Sequence, residues 1–374
     1  MFRSIVPVLL LCGLGASPLQ AQTTPDPYRS ARPTAEADFA AWLAAFRPKA
    51  LAEGVSTATL DRELAGLVLN ARVIAFDRSQ PDDSRPQSVP LFADYLARRL
   101  TADRIGQGQQ MLAENRPMLA EIVARYGVPA PVILGIWGME TSYGSYTGDF
   151  DIVRSLASLA FDGRREALFT RELIGALKMI DRGVITRPRL VGSWAGATGN
   201  PQFLPTTYLD HAADGNGDGR ADIWENRADT AASIASYLKA EGWRAGGDWA
   251  IRVAVPPGFD RERVRNLVPA RECARVLAKH SRWIPVAEWR LLGLAPLDGR
   301  RFPGDDVLAT LVEPDGPGRG AYLTFGNYRA LLGYNCSNFY ALSVGLLADA
   351  IAAPPPGPAA VDTAPAGGRL RIDP

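Results

Sequence analysis

Apolar residues along this chain recur mostly at helical spacing. Phe39, Trp42, Leu43 and Phe46 fall at intervals of three and four, as do Leu91, Tyr95, Leu96 and Leu100, and each set predicts an amphipathic helix. Residues 118–126 predict another, with Leu119, Ile122 and Val123 on one side. Gly127 suits its C-terminal stop and Pro129 the start of the next helix. Further helices are predicted over residues 166–182 and 230–241, and strands over 249–255 and 321–325. The fold class is therefore α+β and helix-rich, without an internal repeat. No Gly-rich phosphate loop opens a helix, no His pair stands at metal spacing, and no organic cofactor is implied.

The two ends break this pattern. Residues 1–21 carry one charge at Arg3, an apolar run over 5–14 and small residues up to Ala21, the layout of a secretory signal peptide. That run is well short of the roughly 20 residues a bilayer requires, and no later stretch reads as a membrane span. A lipid anchor at Cys12 is disfavoured by Leu11, which stands where a small residue belongs. The reading is an exported protein, soluble once the signal is removed and periplasmic in a cell with two membranes. Residues 22–34 and 352–374 are rich in Pro and Ala and read as a flexible linker and tail, leaving 35–351 to fold. Lys plus Arg number 41 against 40 for Asp plus Glu, so no overall field gathers nucleic acid, and any partner is recognised locally. Cys273 and Cys336 remain after export, either as a disulfide or as two separate buried thiols.

Candidate chemistry begins on the helix after Pro129. Val132, Ile133, Ile136, Trp137 and Glu140 fall on or near one face, which places a lone carboxylate on an apolar stripe. Desolvation makes an ionised Glu costly, so it is either ion-paired or held protonated, and the second state is what a general acid needs. Residues 138–144 (GMETSYG) end the helix in small and polar residues that let backbone approach a ligand. Residues 192–208 (GSWAGATGNPQFLPTTY) make a poor helix or strand but a good rigid wall, with Gln202 isolated between apolar neighbours. Residues 333–340 (GYNCSNFY) bring Tyr334, Asn335 and Tyr340 close together, a mixture of rings and amides that suits a sugar as well as a core.

Together the three runs resemble the B-type lytic murein transglycosylases, whose pattern includes a Glu-Thr-x-x-Gly helix end, a Gly-Ser-x-Ala-Gly-x-x-Gly-x-x-Gln-Phe-x-Pro loop and a late Tyr-Asn. The resemblance extends over about residues 39–349. It implies a lysozyme-like catalytic domain with helical elaborations. It also implies cleavage of the β-1,4 bond between N-acetylmuramic acid and N-acetylglucosamine in peptidoglycan, leaving 1,6-anhydro ends. Glu140 is then the catalytic acid and base, and Ser193, Gln202, Tyr237, Tyr334, Asn335 and Tyr340 line the glycan groove. Thr198 and Leu204 depart from the Met residues common in the family, which is expected to alter the groove wall. A hydrolytic muramidase and a non-catalytic peptidoglycan-binding protein are the alternatives. Asp149 and Asp151 are the residues to test should a second carboxylate be needed.

One motif stands on its own spacing. Asp214, Asn216, Asp218, Gly219 and Glu225 fit the calcium-loop pattern D-x-[DN]-x-[DN]-G-x5-E, with Arg220 supplying a carbonyl. An ion-free Asp- and Gly-rich turn is the other reading. The resemblance implies that Asp229, rather than Glu225, closes the shell around a structural Ca2+.

Overall fold

The computed structural model describes residues 33–80, 90–297 and 299–353. The expected signal segment lies outside them, as does most of the linker and tail, although helix Pro33–Ala52 begins within the predicted linker and Asn338–Ala352 ends within the predicted tail. No single helix among the described residues is long and apolar enough to cross a membrane.

Helix Ala130–Thr141 organises the rest. Its sequence suggests one apolar stripe, yet Val132 through Met139 are all buried, so the helix is enclosed on every side. Gly135 makes this possible against helix Asn338–Ala352: a Cβ there would lie 2.9 Å from the Val344 carbonyl oxygen. Arg116–Tyr126, Arg227–Ala240 and Gly326–Tyr334 also contribute to that first core. Gly127 ends Arg116–Tyr126 in the left-handed region at φ 74°, as its sequence predicts. Arg227–Ala240 starts earlier than apolar spacing suggests, because the Asn226 side chain caps it by accepting the Ala228 and Asp229 amides.

A second core gathers Pro33–Ala52, Thr57–Leu64, Ile152–Asp162, Glu166–Asp181 and Pro205–His211 around Phe39, Leu156, Phe169 and Phe203. Two short strands, β1 (Phe150–Asp151) and β2 (Val191–Gly192), pair across it with Phe150 opposite Gly192. The contact requires glycine, since a Cβ at Gly148 would lie 2.2 Å from the Gly192 carbonyl.

The third core is an antiparallel sheet of β3 (Ala250–Ala254), β4 (Ile284–Pro285), β5 (Ala295–Pro296), β6 (Leu308–Val312) and β7 (Ala321–Thr324), in the order β4-β6-β7-β3-β5. Sequence predicts β3 and β7. It misses β6, whose four buried residues after Leu308 show no alternation. Trp289, fully buried, fills one side of the sheet and donates its indole N–H to Ala309. Cys273 and Cys336 are bonded, their Cα atoms 5.7 Å apart, which joins this sheet unit to the helical body.

The bridge spans a sequence separation of 63. On the chain-entropy account a loop of that size stabilises the fold by about 4 kcal/mol. Cys336→Ser should therefore lower the unfolding free energy by about 2–4 kcal/mol in a urea titration, and the unreduced protein without residues 1–21 should yield no alkylatable thiol.

Candidate active site

A cleft of about 1100 Å3 opens between the two helical cores, and Glu140, Gln202, Tyr237, Tyr334 and Asn335 all line it. Ser193 and Tyr340 do not. The Ser193 hydroxyl sits beneath the 192–208 loop and accepts the Ala197 amide at 3.0 Å, so it braces the wall from behind.

Glu140 stands on the last turn of Ala130–Thr141. Desolvation is the largest influence on its carboxyl and pushes its pKa up to about 7; a hydrogen bond from Tyr340 and the more distant Arg99 charge oppose this. The Tyr340 hydroxyl donates to Glu140 Oε1 at 2.5 Å. Burial and the carboxylate next to it raise the Tyr340 phenol well above its ordinary pKa, so it remains a donor. No carboxylate is among the groups that perturb Glu140.

Behind the acid stands an aromatic wall. Tyr340 stacks on Tyr334 with ring centres 6.5 Å apart, and Tyr334 meets the Tyr237 ring edge-on at 4.9 Å. Both outer hydroxyls are committed to backbone, Tyr334 donating to Pro201 at 2.6 Å and Tyr237 to Gly333 at 2.7 Å. These two residues thus offer rings to the cleft while their polar ends hold the wall to the core.

Gln202 has φ 50°, a left-handed conformation unusual for a side-chain-bearing residue. Its amide nitrogen donates to the carbonyls of Thr147 and Gly199. Two carbonyl partners fix which end is the nitrogen, so the oxygen is the end left to accept from a ligand.

The residue that sequence reasoning missed is Asn200, which is 7% exposed. Its Oδ1 accepts the Trp137 indole N–H at 3.1 Å, and its Nδ2 donates to the carbonyls of Ile223 and Trp224. The Thr141 hydroxyl donates to the Asn200 carbonyl at 3.1 Å. One amide therefore ties the helix carrying Glu140 to the wall and to the end of the 214–229 loop. Gly144 gives it room, since a Cβ there would lie 2.5 Å from Asn200 Oδ1. Thr198 belongs to the same junction. It is fully buried, donates to Val191 and accepts the Trp224 indole N–H at 2.8 Å, so it does not alter the groove wall as sequence suggests; Leu204 does line the cleft.

Asp149 and Asp151 lie in a separate cleft with Arg62, Glu63 and Arg187. Asp151 caps Ile152–Asp162 and pairs with Arg187 at 2.8 Å, which are structural tasks.

In the 214–229 loop, Asp214 accepts the amides of Gly217 and Gly219, Asp218 accepts that of Arg220, and Asn216 that of Asp218. Asp229 is wholly buried and accepts the amides of Gly215 and Asp222, whereas Glu225 is exposed and paired with Arg189 at 2.8 Å. Among the described residues no three acidic, His or Cys side chains are gathered as a ready metal shell. The donor types still suit a hard cation, being oxygens alone from Asp214, Asn216, Asp218 and the Arg220 carbonyl on one loop.

Comparison with known proteins gives a consistent picture. The Transglycosylase SLT domain family matches residues 38–349. Membrane-bound lytic murein transglycosylase B of Escherichia coli K12 is 30% identical over 286 residues, 74% of this chain and 72% of its own length. SltB3 from Pseudomonas aeruginosa, solved in complex with NAG-anhNAM-pentapeptide, superposes with a TM-score of 0.74 at 40% identity, over 84% of this chain and 79% of that one. The Escherichia coli lytic transglycosylase Slt35, solved in complex with calcium, superposes with a TM-score of 0.67 at 26% identity, over 85% and 93% of the two chains.

The Tyr340 hydrogen bond favours the ionised form of Glu140, so its removal should raise that carboxyl further above about 7. In Tyr340→Phe the alkaline limb of the pH profile of kcat/KM should move to higher pH, with the melting temperature changed little. An unmoved limb would show that this carboxyl does not govern the profile.

Proposed function

We propose a mechanism for a chain that belongs to the transglycosylase SLT domain family and is a lytic transglycosylase of peptidoglycan. Its helix-rich fold is the lysozyme-like one of those enzymes. Glu140 is the single acid and base, and the observation that carries this reading is its desolvated carboxyl on the cleft wall, held by the Tyr340 hydroxyl. Because Tyr340 occupies Oε1, the transferable proton resides on Oε2. From there it passes to the glycosidic oxygen as the bond to muramic C1 breaks. Charge developing at C1 is met by the substrate's own acetamido carbonyl. Gln202 supports that role by accepting the acetamido N–H, and Asn335 lines the same stretch of cleft. The ionised Glu140 then takes the C6 hydroxyl proton as that oxygen closes on C1, which restores the acid and leaves a 1,6-anhydro end. Intramolecular attack has the advantage of effective molarity over water. A retaining glycosidase would hold a second carboxylate about 5 Å away, and among the described residues no acid lies close enough to shift Glu140, which favours the intramolecular route.

The substrate class places the protein outside the cytoplasm, and the layout of residues 1–21 supports export to the periplasm in soluble form. A Ca2+ held by Asp214, Asn216, Asp218 and the Arg220 carbonyl would tie down the loop behind the wall and take no part in the chemistry. Asp229 is the better closing ligand than Glu225, since it already lies inside the loop while Glu225 points away to Arg189.

Glu140→Gln should abolish release of muropeptides from sacculi while glycan binding persists. Wild-type products should be about one water lighter than hydrolytic ones and lack a reducing end; chiefly reducible muramic ends would make this a muramidase on the same scaffold. The same variant tests the burial argument. A carboxyl whose folded pKa lies above its unfolded value binds extra protons in the native state, so its stability contribution is lost as pH rises from about 4.5 to about 7. Glu140→Gln should accordingly be more stable than wild type at pH 8, by about 1–3 kcal/mol, and close to equal at pH 4.

For the cation, calcium at a hundred times its dissociation constant should stabilise the fold by about 2.7 kcal/mol. The melting shift between EDTA and calcium should survive in Glu225→Gln and vanish in Asp229→Asn. No shift in the wild type would remove the ion from this account.

A further inference from the structure

The chain as a whole is close to neutral, with a formal net charge of +1, but one stretch of the sheet unit is not. Between residues 263 and 282 stand Arg263, Arg265, Arg271, Arg275, Lys279 and Arg282, against Glu272 alone. Folding brings the two ends of this stretch together. Arg265 bridges Ser281 in antiparallel register, and the Arg282 amide donates to the Val264 carbonyl at 2.8 Å, so the two arms of the segment lie side by side. Val264 is buried and anchors the face, while Arg263 and Arg265 on either side of it are exposed. Arg265 and Arg282 have acidic neighbours in Glu262 and Glu288. Arg263, Arg271 and Lys279 have no ion-pair partner among the described residues.

The same segment carries apolar groups held in water. Leu267 and Val268, adjacent at the loop tip, are 80% and 75% exposed. Trp283 is 39% exposed, with the Arg329 guanidinium 4.8 Å from its ring centre. Single exposed apolar residues need no explanation, but an adjacent exposed pair on a cation-rich segment marks an interaction surface. Its partner must supply negative charge beside an apolar layer. A bilayer containing anionic phospholipid does so, with phosphates for the cations, the acyl boundary for Leu267 and Val268, and the interfacial zone for an indole. A glycan strand with acidic peptides would answer the charge and leave the apolar tip in water.

We propose that residues 263–283 form a docking face that holds the enzyme on an anionic phospholipid surface. The Cys273–Cys336 bond gives the docking a direction. Cys336 follows Asn335 in the cleft, so the face and the cleft are fixed to one another and a docked enzyme presents its cleft at a set angle.

Co-sedimentation of the signal-free protein with vesicles tests this. Vesicles of phosphatidylglycerol and phosphatidylethanolamine should bind it, vesicles of phosphatidylcholine alone should not, and binding should fall as salt is raised. Replacing Arg263, Arg271 and Lys279 together by Gln should weaken the partition by about a hundredfold. L267S/V268S should weaken it at least tenfold while the salt dependence persists. Melting curves and turnover of short soluble glycan strands should match wild type in both variants. Equal binding to both vesicle types, binding to neither, or full binding by the triple variant would overturn the proposal. Loss of binding to purified sacculi with vesicle binding intact would assign the face to the wall and end the lipid reading.

Discussion

A carboxylic acid largely withdrawn from water at the end of an enclosed helix is the constraint around which this molecule is arranged. Water would solvate Glu140 and return it to the ordinary carboxylate range. Withdrawal from water requires the helix Ala130–Thr141 to be covered on all sides, which takes the first helical core and a glycine where the neighbouring backbone crosses. It also requires a partner that tolerates the ionised form without enforcing it. A lysine or arginine in that position would lock the charge in place, whereas the neutral Tyr340 hydroxyl lets the carboxyl gain and lose a proton at modest cost.

Tyr334 and Tyr237 extend that logic outward. Their hydroxyls are spent on the backbone of Pro201 and Gly333, so their rings are held rigid before any ligand arrives. Preorganisation of this kind means that little side-chain entropy remains to be lost on binding. The price is a wall with little freedom to adapt, and the strained φ of Gln202 belongs to the same arrangement.

Much of this was legible in the residues themselves. Glu140 was exposed by an acid interrupting an apolar helix, and Gln202, Tyr334, Asn335 and Tyr340 by runs too rich in Gly, Pro and aromatic residues for ordinary structure. The helices with clear periodicity fell where expected. Strand β6 did not announce itself because it is buried on both faces and loses the alternation that marks a half-exposed strand. Asn200 was hidden for a different reason. A short polar residue between Gly and Pro reads as a turn former, and only the fold reveals that its amide meets an indole and two carbonyls from distant segments. Ser193 and Thr198 show the converse: membership of a site motif identified them, yet their hydroxyls serve the loop from behind.

The covalent link between Cys273 and Cys336 has a consequence in time as well as in space. Asn335 precedes one half of the bond, so this edge of the cleft is finished only where thiols can oxidise. A newly made chain in reducing surroundings would carry its acid and its tyrosines but hold that edge by non-covalent contacts alone. The cut that a cell must keep away from its own unfinished wall thus acquires its last fastening at the destination, and the oxidising compartment becomes, in effect, part of the enzyme's assembly.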